Sequence, residues 1–391
     1  MNSKNDAELK RWDINYLIFF SYYYKIITCV EVLCKKRYNF ISKNRYSIGG
    51  NMGRKKITRS KKNKKKSWKV ILAFFAFMII FTGVTAPFMI LYGPFEDAKR
   101  TFVGTAMSSM HYQWLATTFL SQDKIDEILG KSQEVVSNEN QDFSLIEISK
   151  VKDDSIEVAT LTDNSKFTGH VLIVKDPTRV KVGVTSKLFK EGETTSQIAQ
   201  NYDAVAAING GAFTDEEGSQ LWTSNGGIPV GVLISDGKIL NDDAPGGRYD
   251  VAAMTKDGRL LVGGYTLKQL EEQNVVDALT FTPEGASPVL VINGKMTKIS
   301  GDGGLGTAPR TLIGQRRDGA IVLVVLDSKV PGGRIAATLK ESQEIMYKLD
   351  CVTATMLDGG KSATMYYDGE VINNPSNSLG ERPIASAFIV K

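Results

Sequence analysis

Residues 70–95 contain no charged side chain, and this feature limits most strongly what the chain can fold into. As a helix the stretch would extend about 39 Å, more than the roughly 30 Å hydrocarbon core of a bilayer. A basic segment precedes it, and the residues that follow, 96–100, are nearly balanced in charge. The positive-inside rule then places the N-terminus in the cytoplasm and the bulk of the chain outside the cell membrane.

A cleaved signal peptide is the alternative interpretation of this stretch. The apolar region of a signal peptide normally spans about 7–15 residues, and the present one is longer. The only cleavage-like motif of small residues is Val84-Thr85-Ala86, and Pro87 follows it directly. We expect that proline to block cleavage, so the sequence predicts an uncleaved, single-pass anchor.

The net charge of +5 is the sum of two regions of opposite charge. Residues 1–69 hold 19 Lys and Arg against 4 Asp and Glu, a balance of +15, and residues 70–391 hold 29 against 39, a balance of −10. The basic excess therefore belongs to a tail and does not indicate a nucleic-acid groove in the folded part. No nucleic-acid partner is expected.

The first 51 residues contain a second apolar stretch, Ile14–Leu33, which Lys25 and Glu31 interrupt. Met52 and the basic residues after it would make a normal start for a tail and an anchor. We therefore predict that translation begins at Met52 and that residues 1–51 are an extension of the gene model. A weak first membrane segment is the alternative.

Cysteine and histidine usage limits the chemistry of the outer part. Cys29 and Cys34 fall in the leader, so Cys351 alone is left and no internal disulfide can form. An exported domain of this kind fits a bacterium that lacks a strongly oxidising compartment. The two histidines, His111 and His170, lie in unrelated contexts. A zinc site built from His and Cys, and a Ser–His or Cys–His hydrolase, are therefore not expected.

The composition divides the chain into four regions. Residues 1–69 are the basic cytoplasmic tail, residues 70–95 the transmembrane helix, residues 96–146 a helical stalk with a polar linker, and residues 147–391 one folded domain. In the stalk, Ser121 offers an N-cap for a helix over Gln122–Leu129.

Short runs of β-branched residues with glycine turns fill the last region. Five Asp-Gly or Asn-Gly pairs predict hairpin turns because these pairs readily supply a positive φ: Asp236-Gly237, Asp257-Gly258, Asn293-Gly294, Asp318-Gly319 and Asp368-Gly369. Two helices are predicted, Gln197–Tyr202 with a cap at Thr194–Ser196, and Ile335–Leu349. The expected fold is mixed α+β, with a largely antiparallel sheet core and a few covering helices.

Three glycine-rich clusters stand out because strands run into residues that a core would not choose. In the first, a strand ends in Asn209, Gly210 and Gly211, where backbone N–H groups can approach an anion or a sugar; a plain tight turn is the alternative. In the second, the glycine loop from Ser300 carries Asp302 and then Arg310 and Thr311, and Arg310 can clamp a phosphate; a surface ion pair is the alternative.

The third cluster is Asp358-Gly359-Gly360-Lys361-Ser362, at the end of a buried strand. A P-loop is rejected because Thr355 stands where that motif needs its first glycine. A carboxylate at a strand end, with glycine N–H groups and a cation nearby, is suited to acid/base or nucleophilic catalysis of glycosyl-bond cleavage. A simple Asp-Gly turn is the alternative.

Together these runs resemble the phosphodiester glycosidase family, over roughly residues 165–391. The matching pieces, in chain order, are Ile208-Asn209-Gly210-Gly211-Ala212-Phe213, Gly226-Gly227-Ile228-Pro229, Ala308-Pro309-Arg310-Thr311, Leu357-Asp358-Gly359-Gly360-Lys361-Ser362, Asn373-Asn374-Pro375-Ser376 and Gly380-Glu381-Arg382-Pro383. The resemblance implies hydrolysis of a sugar-1-phosphodiester, with glycosyl phosphates of the cell envelope as expected substrates. No cofactor is expected, and assistance by a divalent cation stays open.

The resemblance also implies roles for particular residues. Asp358 would be the acid/base or nucleophile, with Ser362 in the catalytic loop and Asp302 as the second carboxylate of the usual two-acid scheme. Arg310 would hold the phosphate. The remaining substrate-binding residues would be Asn209, Gly210, Gly211, Thr311, Gly359, Gly360 and Lys361.

One departure from the family's pattern bears on activity. The family's loop usually reads Asp-Gly-Gly-Gly-Ser-Ser, and here Lys361 replaces a glycine and Ala363 a serine. The lysine either adds a phosphate-binding cation or fills the pocket, which would leave a non-catalytic module that binds envelope glycan or a partner protein. Cleavage on the phosphorus side of the diester is a third possibility.

Overall fold

The computed structural model describes residues 62–107, 113–129, 141–214, 225–280, 289–299, 302–303, 305–330, 333, 335–377 and 379–391. Met52, Cys29, Cys34 and His111 lie outside these ranges, so the predictions made for them stay predictions. The chain divides into two compact units, Met1–Met78 and Ile79–Lys391.

Helix α1 (Lys62–Tyr92) contains most of the charge-free stretch. Within the described residues, Ile71–Tyr92 is the one helical segment long and apolar enough to cross a membrane. Large apolar side chains along it are exposed, including those of Phe74, Phe75 and Ile79. A signal sequence has the same properties, so the prediction of an uncleaved anchor stays a prediction.

Three short helices follow within the second unit: α2 (Glu96–Met107), α3 (Trp114–Thr117) and α4 (Gln122–Leu129). The predicted bounds of α4 are confirmed, and Ser121 Oγ accepts a hydrogen bond from Lys124 N at 3.4 Å. These helices share a small core with the end of α1, formed by Leu91, Val103, Ala106, Ala116, Leu120 and Ile125.

The described part of the chain then forms nineteen strands. They are β1 (Ile156–Leu161), β2 (Phe167–Val174), β3 (Val180–Val184), β4 (Ala206–Asn209), β5 (Phe213–Thr214), β6 (Ile228–Pro229), β7 (Val232–Ser235), β8 (Lys238–Asp242), β9 (Arg248–Thr255), β10 (Leu260–Thr266), β11 (Val275–Thr280), β12 (Val289–Ile292), β13 (Lys295–Met296), β14 (Arg310–Arg316), β15 (Ile321–Ser328), β16 (Cys351–Met356), β17 (Met365–Tyr367), β18 (Glu370–Val371) and β19 (Ser386–Val390).

Three further helices interrupt the strands: α5 (Thr195–Asn201), α6 (Leu267–Glu272) and α7 (Leu339–Lys348). The predicted cap at Thr194 is confirmed, because its hydroxyl accepts from Gln197 N in a capping box. The prediction that a helix covers Ile335–Leu349 was too long. Thr338 and Glu341 form a second capping box, which fixes the start of α7 at Leu339.

All five predicted hairpin turns join strands that pair with each other, as the registers show. At three of them both residues have positive φ, for example Asp368 at 48° and Gly369 at 92°. At Asp257-Gly258 and Asp318-Gly319 only the glycine does. The sequence signal was reliable here because few residue pairs tolerate this backbone conformation.

The strands form three large antiparallel sheets, which confirms the predicted fold class. Their orders are β1-β2-β15-β14-β16-β12-β13, β10-β9-β11-β7-β8 and β18-β17-β4-β19-β3. One central cluster draws buried residues from all three, such as Leu323 of β15, Leu279 of β11 and Phe388 of β19. The sheets therefore share a single hydrophobic core.

Strand β15 is buried on both faces. This burial explains why its sequence does not alternate between apolar and polar residues. Ile321 and Leu323 face the central cluster, and Val322 and Val324 face a second cluster that α7 covers through Met346. A continuous apolar run is expected of such a strand, because both of its faces are shielded from water.

The predicted linker ends earlier than residue 146. Gln141 Nε2 donates to Leu260 O at 2.6 Å, and its Oε1 accepts from Val262 N at 3.1 Å. Asp142 N donates to Asn293 Oδ1 at 2.7 Å. Residues from 141 onward are thus held against the sheets by side-chain hydrogen bonds that hydropathy could not indicate.

Candidate active site

The turn that follows β16 carries Asp358, and we call residues Leu357–Thr364 the aspartate turn. Its backbone is tied to two other segments. Leu357 N donates to Thr311 O at 2.8 Å, Asp358 N to Gly210 O at 3.2 Å, and Gly360 N to Pro309 O at 2.8 Å. Three clusters that are distant in sequence therefore meet at one place, as the sequence predicted.

Two glycines shape the aspartate turn for different reasons. A Cβ at Gly359 would lie 2.7 Å from Pro309 O, so this position must be glycine for the two backbones to meet. Gly360 has a φ of +60° with open space around it, so there the requirement is conformational. Lys361 has neither constraint and its side chain is exposed. The exchange of the family's glycine for lysine is thus accommodated at the surface of the turn.

Asn209 joins the three clusters from inside the protein. It is fully buried; its Nδ2 donates to Asp358 O at 2.6 Å, and its Oδ1 accepts from Thr311 Oγ1 at 2.6 Å and from Thr364 N at 3.1 Å. The sequence predicted a substrate-binding amide. The contacts instead make Asn209, together with Thr311, a brace that positions Asp358.

Gly210 and Gly211 also serve packing. A Cβ at Gly210 would lie 2.6 Å from Ser386 O, and one at Gly211 would lie 2.1 Å from Thr280 O. Their N–H groups, expected to face a ligand, donate to Ser386 O at 3.0 Å and to Ser386 Oγ at 3.4 Å. The sequence was right that this position needs glycines, but the close approach is to the protein's own backbone.

Arg310 differs most from its predicted role. It is 5% exposed, and it donates to Ala337 O at 3.2 Å, Leu305 O at 3.2 Å and Gly306 O at 2.8 Å. Burial lowers its pKa to about 10, and the charge of Asp302 partly opposes that change. The guanidinium therefore holds the glycine loop rather than facing the carboxylate.

The alternation of side chains along β14 explains this outcome. Thr311 points toward Asn209, so its neighbour Arg310 must point to the other face of the sheet. There the guanidinium contacts Met356 Sδ at 3.7 Å. The charge of Asp302 acts on Arg310. Its predicted pairing with Asp358 as two catalytic carboxylates stays a prediction.

The carboxyl of Asp358 is the strongly perturbed acid of this region. Burial raises its pKa to about 7 from an ordinary 3.8, although the Ser362 hydroxyl, the charge of Arg382 and the Gly359 N–H each lower it. A carboxyl with a pKa near neutrality can both accept and release a proton under working conditions.

Three side-chain oxygens of the aspartate turn are shielded from solvent without a well-formed hydrogen bond: Asp358 Oδ2, Ser362 Oγ and Thr364 Oγ1. Ser362 lies near enough to act on the carboxyl but does not form a well-aligned bond with it. Buried polar groups are nearly always paired, so unpaired ones mark a place where a ligand or water completes the bonding. Ser362 therefore lies near the Asp358 carboxyl, and its predicted catalytic role stays a prediction.

Arg382 is a residue of this region to which we assigned no role from the sequence. It is the cation whose charge acts on Asp358, and its Cζ lies 4.8 Å from the centre of the Phe213 ring. The signal available was weak, because Arg382 follows the first glycine cluster by some 170 residues and only the fold brings them together.

The polar segment Asn373–Ser376 supports the aspartate turn from another side. Ser376 Oγ donates to Gly360 O at 3.0 Å. Asn373 Nδ2 donates to buried Asp327 Oδ1 at 2.9 Å, and Asn373 Oδ1 accepts from Met365 N at 2.7 Å. His170 lies beside this network, with Nε2 3.4 Å from Asp327 Oδ2. The segment therefore fixes the backbone on both sides of Ser362.

No group of three or more His, Cys, Asp or Glu side chains comes together among the described residues. A cavity of about 450 Å³ lies elsewhere, lined by residues such as Phe143, Thr255 and Arg259, and includes no member of the aspartate turn.

Comparison with known proteins gives matches of different extent. The family model described as phosphodiester glycosidase matches residues 202–391. The SPbeta prophage-derived uncharacterized protein YomE of Bacillus subtilis is 27% identical over 228 residues, which cover 55% of this chain and 31% of that protein. The chain thus spans about a third of the length of this curated relative.

Solved structures with similar architecture include the catalytic domain of zebrafish N-acetylglucosamine-1-phosphodiester alpha-N-acetylglucosaminidase, auto-inhibited by its pro-peptide. That match has a TM-score of 0.47 and 22% identity, and it covers 60% of this chain and 82% of the other. A hypothetical protein from Synechocystis gives a TM-score of 0.42 at 16% identity, covering 60% of this chain and 61% of its own. The similarity to the phosphodiester glycosidase family therefore rests on the family model, which matches residues 202–391 of this chain.

Proposed function

We propose that residues 147–391 form an extracytoplasmic hydrolase that cleaves the glycosyl bond of a sugar-1-phosphodiester in a cell-envelope glycopolymer. The observation that carries the proposal is the carboxyl of Asp358, with a pKa of about 7 and a solvent-shielded oxygen that lacks a hydrogen bond. The family match supports hydrolysis of phosphodiester-linked sugars. Location outside the membrane and an envelope substrate are parts of the proposal.

Asp358 acts as the general base in this mechanism. Its carboxylate takes a proton from a water molecule, and the water oxygen attacks the anomeric carbon as the bond from that carbon to the phosphate oxygen breaks. The electron pair of that bond stays with the phosphate, which leaves as a monoester. A phosphate monoester has a second pKa of about 6, so it can leave without being protonated first. One carboxylate is therefore sufficient, in contrast to the usual two-acid scheme.

The pH dependence tests this assignment of the base. Because the carboxylate form is the active one, kcat/KM is expected to increase as the pH rises through about 7 and then to level off. The measurement is a profile of kcat/KM from pH 5 to 9 with a fluorogenic sugar-1-phosphodiester. An activity that instead falls above pH 7 would mean that the protonated carboxyl is required and that Asp358 is a general acid.

The bond that breaks can be identified directly. Hydrolysis in water enriched in ¹⁸O is expected to place the label on the freed sugar, and the sugar is expected to lack phosphate. Label on the phosphate would show phosphodiesterase chemistry instead. Binding of a glycosyl phosphate without any turnover would favour a non-catalytic glycan-binding module.

Attachment to the membrane is tested separately from the chemistry. If α1 stays in the mature protein, the full chain is expected to remain with membranes after alkaline carbonate washing, and its intact mass will include residues 70–95. A protease added outside intact cells is expected to digest the C-terminal domain. A soluble product whose N-terminus follows Ala86 would establish the signal-peptide alternative.

A further inference from the structure

Arg382 lies in the segment that leads to β19, and hydrogen bonds hold this segment on both sides of Arg382. The Glu381 carboxylate accepts hydrogen bonds from Ser196 N at 2.9 Å and from the Ser196 hydroxyl. Ile384 and Glu193 exchange two backbone hydrogen bonds, at 2.9 and 3.1 Å. Both residues that flank the 382–383 pair are therefore anchored to the segment at the start of α5.

Close backbone packing restrains the same chain further. A Cβ on Gly226 would lie 2.3 Å from Pro383 O, and one on Gly192 would lie 2.7 Å from Ile384 N. These glycines let three backbone segments touch. The segment then continues to Ser386, which accepts hydrogen bonds from the N–H groups of Gly210 and Gly211. Contacts on several sides thus fix the path of residues 381–386, which ends beside Gly210 and Gly211.

The guanidinium of Arg382 is positioned over Phe213, a fully buried ring next to the first glycine cluster. Stacking on a ring uses the face of a guanidinium, whereas hydrogen bonds to a phosphate leave from its edge, so the two contacts are compatible. The charge also reaches Asp358, whose pKa it lowers. Arg310 lies elsewhere, because its guanidinium donates to three carbonyls on the other face of the sheet.

We propose that Arg382 binds the phosphate of the substrate and makes the site selective for anionic glycosyl phosphates over neutral glycosides. This inference rests on the proposed function, because it places the phosphate beside the carboxyl that activates the water. The planar fork of donors in arginine matches two phosphate oxygens, and stacking on Phe213 holds the fork before the substrate arrives.

The test compares full-length wild type with Arg382→Met and Arg382→Lys, and uses Arg317→Met as a control because Arg317 lies in an exposed hairpin turn. The first probe is calorimetric binding of a sugar 1-phosphate. Arg382→Met is expected to weaken this binding by roughly 10²-fold or more, and the lysine variant is expected to recover only part of it. The control should bind as wild type does.

The second probe is turnover of a sugar-1-phosphodiester and of a neutral aryl glycoside of the same sugar. At a pH well above the midpoint of each protein's pH profile, Arg382→Met is expected to lower kcat/KM for the anionic substrate roughly 10²–10³-fold and to lower it much less for the neutral one. The midpoint of its pH profile should move upward, because the cation that lowers the pKa of Asp358 is gone.

The outcomes separate this inference from the proposed function. Binding lost in Arg382→Met, with no turnover in any variant, would support Arg382 as the phosphate-binding residue and overturn the hydrolase. Equal binding of the sugar 1-phosphate by wild type and Arg382→Met, or no binding by wild type, would overturn the role of Arg382 even if Asp358→Asn proves inactive. An equal loss toward both substrates, without a change in the pH profile, would also overturn it.

Discussion

Asp358→Asn is expected to abolish turnover and, above neutral pH, to stabilise the folded protein. The amide has nearly the shape of the carboxyl but cannot take the proton of the attacking water. It also removes a charge that the fold shields from solvent, as shown by a pKa of about 7 where an ordinary aspartate has 3.8. Loss of activity together with a gain in stability is typical of a group kept for function.

The sign of the stability effect follows from the proton balance. Between about pH 4 and pH 7 the unfolded wild type has lost the proton of Asp358 while the folded protein still holds it. The free energy of unfolding of wild type therefore falls as the pH rises through this window. The loss reaches at most about 4 kcal/mol above pH 7, because each pKa unit corresponds to about 1.36 kcal/mol. The asparagine variant does not titrate and does not have this loss.

Thermal unfolding of the full chain in detergent micelles, at pH 5 and at pH 8.5, measures the effect. The midpoint of Asp358→Asn is expected to exceed that of wild type by several degrees at pH 8.5 and to lie much closer to it at pH 5. Asp368→Asn is the matched control, since Asp368 sits in an exposed turn with a positive φ that asparagine also tolerates. A turnover number near that of wild type in Asp358→Asn would refute the catalytic assignment.

Asn209→Ala is expected to be the most destabilising single change near the site. It leaves Asp358 O, Thr311 Oγ1 and Thr364 N without their partner in a region closed to water. Each buried group without a partner costs about 1–3 kcal/mol, so the total for the three groups is about 3–9 kcal/mol, a large share of typical domain stability. Because these bonds hold the backbone of Asp358, any folded fraction should also lose most of its activity.

A graded variant and a matched control make this prediction measurable even if Asn209→Ala does not fold. Thr311→Val removes a single hydroxyl at nearly constant volume and is expected to cost about 1–3 kcal/mol, with a clear fall in kcat. Gln343→Ala removes another fully buried amide, which donates to Leu290 O and Thr297 O, and none of its partners belongs to the aspartate turn. It should lower the thermal midpoint while the folded fraction keeps its kcat. Equal effects of both amides on kcat would contradict the role of Asn209.

Local features of the fold were predictable because local chemistry decides them. A hairpin turn such as Asn293-Gly294 needs positive φ at both positions, and the pair can be identified without knowing the rest of the chain. The cap at Thr194 and the bounds of α4 are of the same kind. The exposed strand β1 was missed, since it has little apolar alternation and exists by pairing with β2.

The candidate site likewise combines features that the sequence indicated with features that only the fold decides. The sequence indicated that Asn209, Arg310 and Asp358 belong to one site, and it assigned Gly210 and Gly359 to substrate binding. It could not show that Asn209 would be fully buried, or that the glycine N–H groups would donate to Ser386. Each of these facts depends on a partner far away in the chain.

The sequence by itself determined the charge-free stretch and the antiparallel class of the fold, because turn preferences and side-chain periodicity are properties of neighbouring residues. The segments that meet at Asp358 were indicated by the resemblance to the phosphodiester glycosidase family. Only the tertiary structure decided which arginine's charge acts on the carboxyl of Asp358. Arg310 starts a strand whose pairing turns its side chain to the other face. The chain around Arg382 is held by contacts of its neighbours, Glu381 with Ser196, Ile384 with Glu193 and Pro383 with Gly226. The direction of a side chain and the pKa of a buried acid depend on what packs around them, and that is a property of the folded chain.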